Sequence, residues 1–172
     1  MTNPLLAPWD TPFKLPPFDM IDDEDFAPAL EEALTAHNIE IASIIEEQSE
    51  PTFENTIAAL EASGEALDRV LSPFFALAGA DATPRRQELQ REFSPKLAKH
   101  FADISGNAAL FARIKAVWDQ RGTLGLDEQD ARQLFLVHRG YVRSGAALTG
   151  TQANRMKAIK ERLAVLGTEF SQ

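Results

Sequence analysis

Residues 51–78 read PTFENTIAALEASGEALDRVLSPFFALA, and their spacing decides the fold class. Phe53, Ile57, Leu60, Gly64, Leu67, Leu71, Phe74 and Ala78 recur in strict 4-3-4-3 steps. That interval returns a side chain to the same face of an α-helix at each turn, whereas a strand would alternate every second residue. Thr52, just ahead of the first apolar position, is a good N-cap because its hydroxyl can accept from an unpaired first-turn N–H. The stretch therefore predicts one long helix with an apolar stripe. Pro73 predicts a kink or an early end, since proline lacks an N–H and its ring crowds the preceding turn. Gly64, lying on the stripe, predicts a close approach by a neighbouring helix.

The same period continues on both sides. Upstream, Phe26, Leu30, Leu34, His37, Ile41 and Ile44 form a stripe, with Pro28 placed where a first helical turn tolerates it. Downstream, Thr83-Pro84 opens a helix through Leu89, Phe93, Leu97, His100 and Ile104, with Pro95 as a second expected kink. Asn107 caps a shorter helix carrying Leu110, Phe111, Ile114, Val117 and Trp118, which ends near Arg121-Gly122. Asp127 opens a fifth through Leu134, Phe135, His138, Tyr141 and Val142 to about Gly145. Thr151 opens a sixth with Met156, Ile159, Leu163, Leu166 and Phe170 on one face. No alternating β-branched run or hairpin signal interrupts the series, and no repeat of fixed period is present. The expected class is all-α: an antiparallel helical bundle of about six helices joined by short loops.

Residues 1–21 read differently. Five of the ten prolines stand at positions 4, 8, 12, 16 and 17, interleaved with Leu5, Leu6, Trp9, Phe13 and Phe18. Proline biases its predecessor toward extended geometry, so this segment is expected to be an extended, proline-rich arm, too apolar to float in solvent. Residues 22–172 form the expected helical domain. Its closing LAVLGTEFSQ lacks a glycine cap, a basic last turn or a proline stop, which reads as a domain truncated inside a helix.

Charge and composition exclude several functions. Of 172 residues, 17 are Lys or Arg and 26 are Asp or Glu, giving a net charge of −9 that repels phosphate backbones and anionic lipid. Nucleic-acid and membrane partners are not expected, and no leader or spanning segment precedes the helices, so the expected location is the cytoplasm. The absence of cysteine removes disulfides, thiolate catalysis and Cys-based zinc sites.

Nothing in the sequence assembles an active site. His37, His100 and His138 are far apart in the chain, and none belongs to an HExxH helix, which would set two imidazoles and a basic Glu on one face. Each lies on or beside an apolar stripe and reads as a packed histidine; a metal site built from all three is the weaker alternative. Ser72 and Ser94 precede prolines and sit in no nucleophile elbow. Gly122 and Gly125 make a turn, not a phosphate loop. The acidic pairs Asp22-Asp23, Glu31-Glu32 and Glu46-Glu47 lie off the stripes and read as solvated faces, without the desolvation that acid–base work requires. Arg85-Arg86 at a helix start reads as a surface feature, unfavourable to the helix dipole. Catalytic, cofactor-binding and metal-ligating residues are therefore assigned to no position.

Taken in order, PPFDMIDDEDFAPALEEALTAHNIEIASI, PTFENTIAALEASGEALDRV, FFAL, REFSPKLAKH, NAALFARIKAVWDQR and LDEQDARQLFLVHRGYVRSGAAL resemble the N-terminal region of one family. It is the family of zinc peptidases comprising oligopeptidase A, peptidyl-dipeptidase Dcp and thimet oligopeptidase. The resemblance runs from Asn3 to Gln172 and rests on the order and spacing of the segments more than on any one of them. It implies that this chain is a non-catalytic helical domain forming one wall of a substrate channel. It also implies that an HExxH zinc site binding one zinc ion, which would cleave short peptides, lies in a C-terminal part of a longer protein. The segment Ala76 to Asp81 is plainer than in relatives that carry Asn there, and no peptide contact is assigned to it. Two consequences follow from the resemblance: the apolar arm packs against that C-terminal part, and the isolated chain self-associates. The alternative is a stand-alone helical interaction module without the peptidase part. Whether the parent would release dipeptides or cleave internally is not encoded in these residues.

Overall fold

In the computed structural model, residues 3–170 are described; Met1, Thr2, Ser171 and Gln172 lie outside that description, as do several side chains of the last helix, Phe170 among them. The described residues contain no strand, and six of their α-helices have twelve residues or more. In chain order the helices are α1 (Phe26–Glu46), α2 (Ala59–Ala62), α3 (Glu65–Ala80), α4 (Pro84–Ser105), α5 (Ala108–Asp119), α6 (Glu128–Ser144) and α7 (Gly150–Phe170). A π-helical turn, Phe53–Ala58, leads into α2. The chain divides into two compact units, one of residues 1–49 and 58–102, the other of residues 50–57 and 103–172.

The first unit is organised around Phe74. Its ring meets Phe26 edge-on at 5.1 Å and Phe93 at 4.8 Å, and Leu30, Ala33, Val70 and Leu89 close the core around these rings. Aromatic pairs of this kind contribute about 0.5–1.5 kcal/mol beyond the area they bury. Contacts fix the helix directions. Phe26 faces Phe74 while Glu40 faces Gly64, so α1 and α3 are antiparallel. Glu31 meets Lys96 and His37 meets His100, so α1 and α4 run the same way, as alternating up-and-down connections require.

In the second unit α5 packs on α6, and Leu110, Phe111, Ile114, Val117 and Leu134 are all buried. Trp118 contacts Phe135 while Phe111 contacts Tyr141, so this pair is also antiparallel. Asn107 and Asp127 cap as predicted, accepting from Leu110 N and Asp130 N, and Gly145 closes α6 with φ +90°, whereas α7 begins at Gly150 with Thr151 already inside it. The stripe of α7 is not covered within the described structure, for Ile159, Leu163 and Leu166 are exposed.

Three expectations are corrected. The helix predicted from Thr52 onward is broken at Ser63-Gly64, where Gly64 adopts φ +82°, a left-handed conformation that L-residues avoid. Pro73, by contrast, does not end the helix; α3 continues past it to Ala80, with Pro73 itself buried. The arm is also a chain of turns rather than a continuous extended segment. A 3-10 turn spans Pro12–Lys14, with Phe13 and Lys14 at positive φ. Leu5 is fully buried in the core, Asn3 Nδ2 donates to Asp25 O at 2.8 Å, and Trp9 Nε1 donates to Pro4 O at 3.0 Å. Pro12 thus supports a turn here because its fixed φ suits a tight bend as well as an extended run.

Candidate functional site

Thr52 and Asn55 make a reciprocal helix start. Asn55 N donates to Thr52 Oγ1 at 3.1 Å, and Thr52 N donates to Asn55 Oδ1 at 2.8 Å. Asn55 thereby takes the place that Glu or Gln holds in the usual capping box. Its Oδ1 also accepts from Arg113 Nη2 at 3.2 Å, which ties this start to α5. The role is structural: the Thr52 hydroxyl and the Asn55 amide oxygen are both engaged within the fold.

Two of the three histidines come together. His37 of α1 and His100 of α4 are both buried, with His100 Nε2 and His37 Nδ1 3.0 Å apart. The other ring nitrogen of His37 lies 3.3 Å from Ser63 Oγ, and Ser63 Oγ donates to Leu60 O at 2.7 Å. Burial lowers the pKa of His37, opposed by the charges of Glu40 and Asp68. Gly64 N donates to Glu40 Oε2 at 2.7 Å beside this pair. A Cβ on Gly64 would stand 3.1 Å from His37 Cε1, so the glycine serves the close approach predicted from sequence, with the partner an imidazole.

His138 belongs to the second unit and lies flat on Trp118, with ring centroids 4.4 Å apart and planes within 3°. Phe111 and Tyr141 extend the stack, and Arg121 covers Trp118 at 4.2 Å. Burial lowers the pKa of His138 and pushes Tyr141 up to about 12, because an apolar stack disfavours the charged form of either group. Among the described residues no three His, Cys, Asp or Glu side chains are placed to hold a metal ion.

The acidic and basic pairs are largely structural. Arg85 binds Glu24 through two nitrogens, at 2.9 and 2.8 Å, and Arg86 reaches Asp23 and Asp81, each at 2.7 Å. These bonds fasten the turn before α1 to the first turn of α4 and lower the pKa of Glu24. They also answer the dipole problem posed by two arginines at a helix start, since carboxylates stand over the same terminus. Sequence reasoning missed this clamp because its members are about sixty residues apart and carry no periodic signal. Glu31 pairs with Lys96, Glu47 Oε1 accepts from Ser49 N at 2.9 Å, and Ser94 Oγ donates to Gln90 O at 2.7 Å within its helix. Ser72 lies exposed on α3, and Gly125 turns the chain at φ +64°.

No protein-family model matches the chain. Three relatives do. It is 40% identical over 171 residues to a dipeptidyl carboxypeptidase of Salmonella typhimurium and 39% identical over 170 residues to that of Escherichia coli. It is 27% identical over 171 residues to oligopeptidase A of Escherichia coli. Each match covers 99% of this chain, while the chain spans about 25% of the length of each relative. By this similarity the chain corresponds to the N-terminal region of peptidases named dipeptidyl carboxypeptidase and oligopeptidase A.

Proposed function

We propose that this chain is the non-catalytic N-terminal helical domain of a cytoplasmic, zinc-dependent oligopeptidase that hydrolyses short peptides, and that its helices form one wall of the substrate channel. The observation that carries the reading is the match itself: peptidases similar along 99% of this chain are about four times its length. The zinc that the resemblance implies finds no fit in the described residues. His37 and His100 face each other, His138 is stacked on Trp118, and the sequence contains no HExxH. Ligands for it, and any reaction it supports, belong to the part of the protein beyond this domain.

Exposed apolar surface supports a covering partner of that kind. Ile159, Leu163 and Leu166 line the uncovered side of α7, and Phe13, at 95% exposure, stands out from the arm beside Leu15, Phe18 and Met20. Contiguous apolar surface on a soluble domain marks a place where something packs. No helix among the described residues is long and apolar enough to cross a membrane. The reading frame beyond Gln172 tests the proposal. An HExxH several hundred residues downstream agrees with it, whereas a stop codon directly after Gln172 would favour the stand-alone interaction module.

A further inference from the structure

The buried pair of histidines and the broken helix meet at one point, and their hydrogen bonds have a determined direction. Ser63 has a single hydroxyl proton, donated to Leu60 O at 2.7 Å. Its oxygen is therefore an acceptor toward His37, and His37 Nε2 must carry the proton. In a neutral imidazole this leaves a lone pair on Nδ1, so His100 Nε2, 3.0 Å away, is the donor there. The chain runs His100 to His37 to Ser63 to the Leu60 carbonyl, linking α4, α1 and the end of α2 immediately before Gly64.

We infer that this relay is an acid-sensitive latch, closed while the His37–His100 pair holds at most one added proton, and that protonating both rings, His37 at Nδ1 included, releases the α1–α4 contact and the Ser63-Gly64 break together. A proton on His100 Nδ1 leaves every bond of the relay in place. A further proton on His37 Nδ1 does not: with both rings protonated, two N–H donors would face each other at 3.0 Å, and a doubly charged pair would sit in a buried site. The charges acting on His37 are Glu40 from its own helix and Asp68 from α3, with His100 facing it from α4; the α2 side presents the neutral Ser63 hydroxyl. Glu40 is held by Gly64 N, so the counter-charge nearest the ring is itself tied to the joint that the latch controls. Burial outweighs both carboxylates and depresses the His37 pKa. The sign follows. The open form binds the proton at the ordinary imidazole value of about 6.5 and the closed form only below it, so closure is at full strength above about pH 6.5 and is lost as pH falls through the depressed value. This device is independent of the peptidase reading and needs no partner.

Long-range proton–nitrogen NMR of the 172-residue chain, titrated from pH 7.5 to 5, tests it alongside amide exchange at Ser63 and Gly64. The expected result is a neutral His37 protonated on Nε2 at pH 7.5. After correction for intrinsic exchange, opening at Ser63 and Gly64 should rise by up to about tenfold per pH unit between pH 6.5 and the His37 midpoint. His37→Gln reproduces the neutral donor and acceptor order without titrating, so its opening should stay flat with pH. An Nδ1–H tautomer in the wild type, a His37 midpoint at or above 6.5, or equal acid opening in His37→Gln would overturn the inference. If His37→Gln does not fold, the wild-type tautomer and midpoint decide alone.

Discussion

Gly64 answers two constraints at once: a backbone at φ +82° and an imidazole where its Cβ would go. Gly64→Ala should therefore cost about 1–2 kcal/mol from the left-handed conformation alone, with a further loss if His37 must shift. Urea denaturation should report this as a lower midpoint with an unchanged slope. Asn107→Ala, which removes an acceptor for Leu110 N, should cost about 1 kcal/mol by the same measurement. Tyr141 offers a cleaner test because it is the chain's single tyrosine. Its phenol absorbance should titrate near pH 12, where burial in the ring stack has pushed it. Because the folded value is raised, the stability it contributes is intact below about pH 10 and is lost as pH rises toward 12. A midpoint near 10 in the folded protein would mean that the stack is open to water.

Helical periodicity is a property of a segment, and at the scale of elements it was legible: the stripes, the Thr83, Asn107 and Asp127 caps and the Gly145 stop all appear where the sequence puts them. What the sequence misplaced was the break between Thr52 and Ala80. A proline inside a helix loses one hydrogen bond but can remain when its ring is buried, as at Pro73, whereas a glycine at a joint takes a conformation closed to other residues. The stripe could not distinguish these cases, because the 4-3-4-3 spacing continues through Gly64 uninterrupted. The Arg85–Glu24 and Arg86–Asp23 clamp was illegible for another reason: pairing across sixty residues depends on tertiary geometry. Its two halves should differ in weight. Glu24→Gln touches an exposed, solvent-screened pair and should leave the melting midpoint almost unchanged. Arg86→Ala removes bonds to both Asp23 and Asp81 at a half-buried site and should cost about 1–3 kcal/mol. Thermal melts of the two variants check the order.

For the whole molecule, absence of chemistry in the sequence and presence of a peptidase resemblance describe the same object at different lengths. His37 and His100 were legible as packed histidines but not as a pair, since nothing along the chain couples positions 63 residues apart. The uncovered apolar side of α7 predicts that the isolated chain associates with itself as concentration rises. Leu163→Glu, at an exposed position on that side, should weaken the association without lowering helix content, read by sedimentation and circular dichroism. The most direct test of the central reading is hydrolysis of short peptides by the 172-residue chain with zinc added and with zinc chelated, beside the full-length product of the same gene. The reading predicts no cleavage by the chain under either condition and zinc-dependent cleavage by the full-length protein. Zinc-dependent turnover by the 172-residue chain would contradict it.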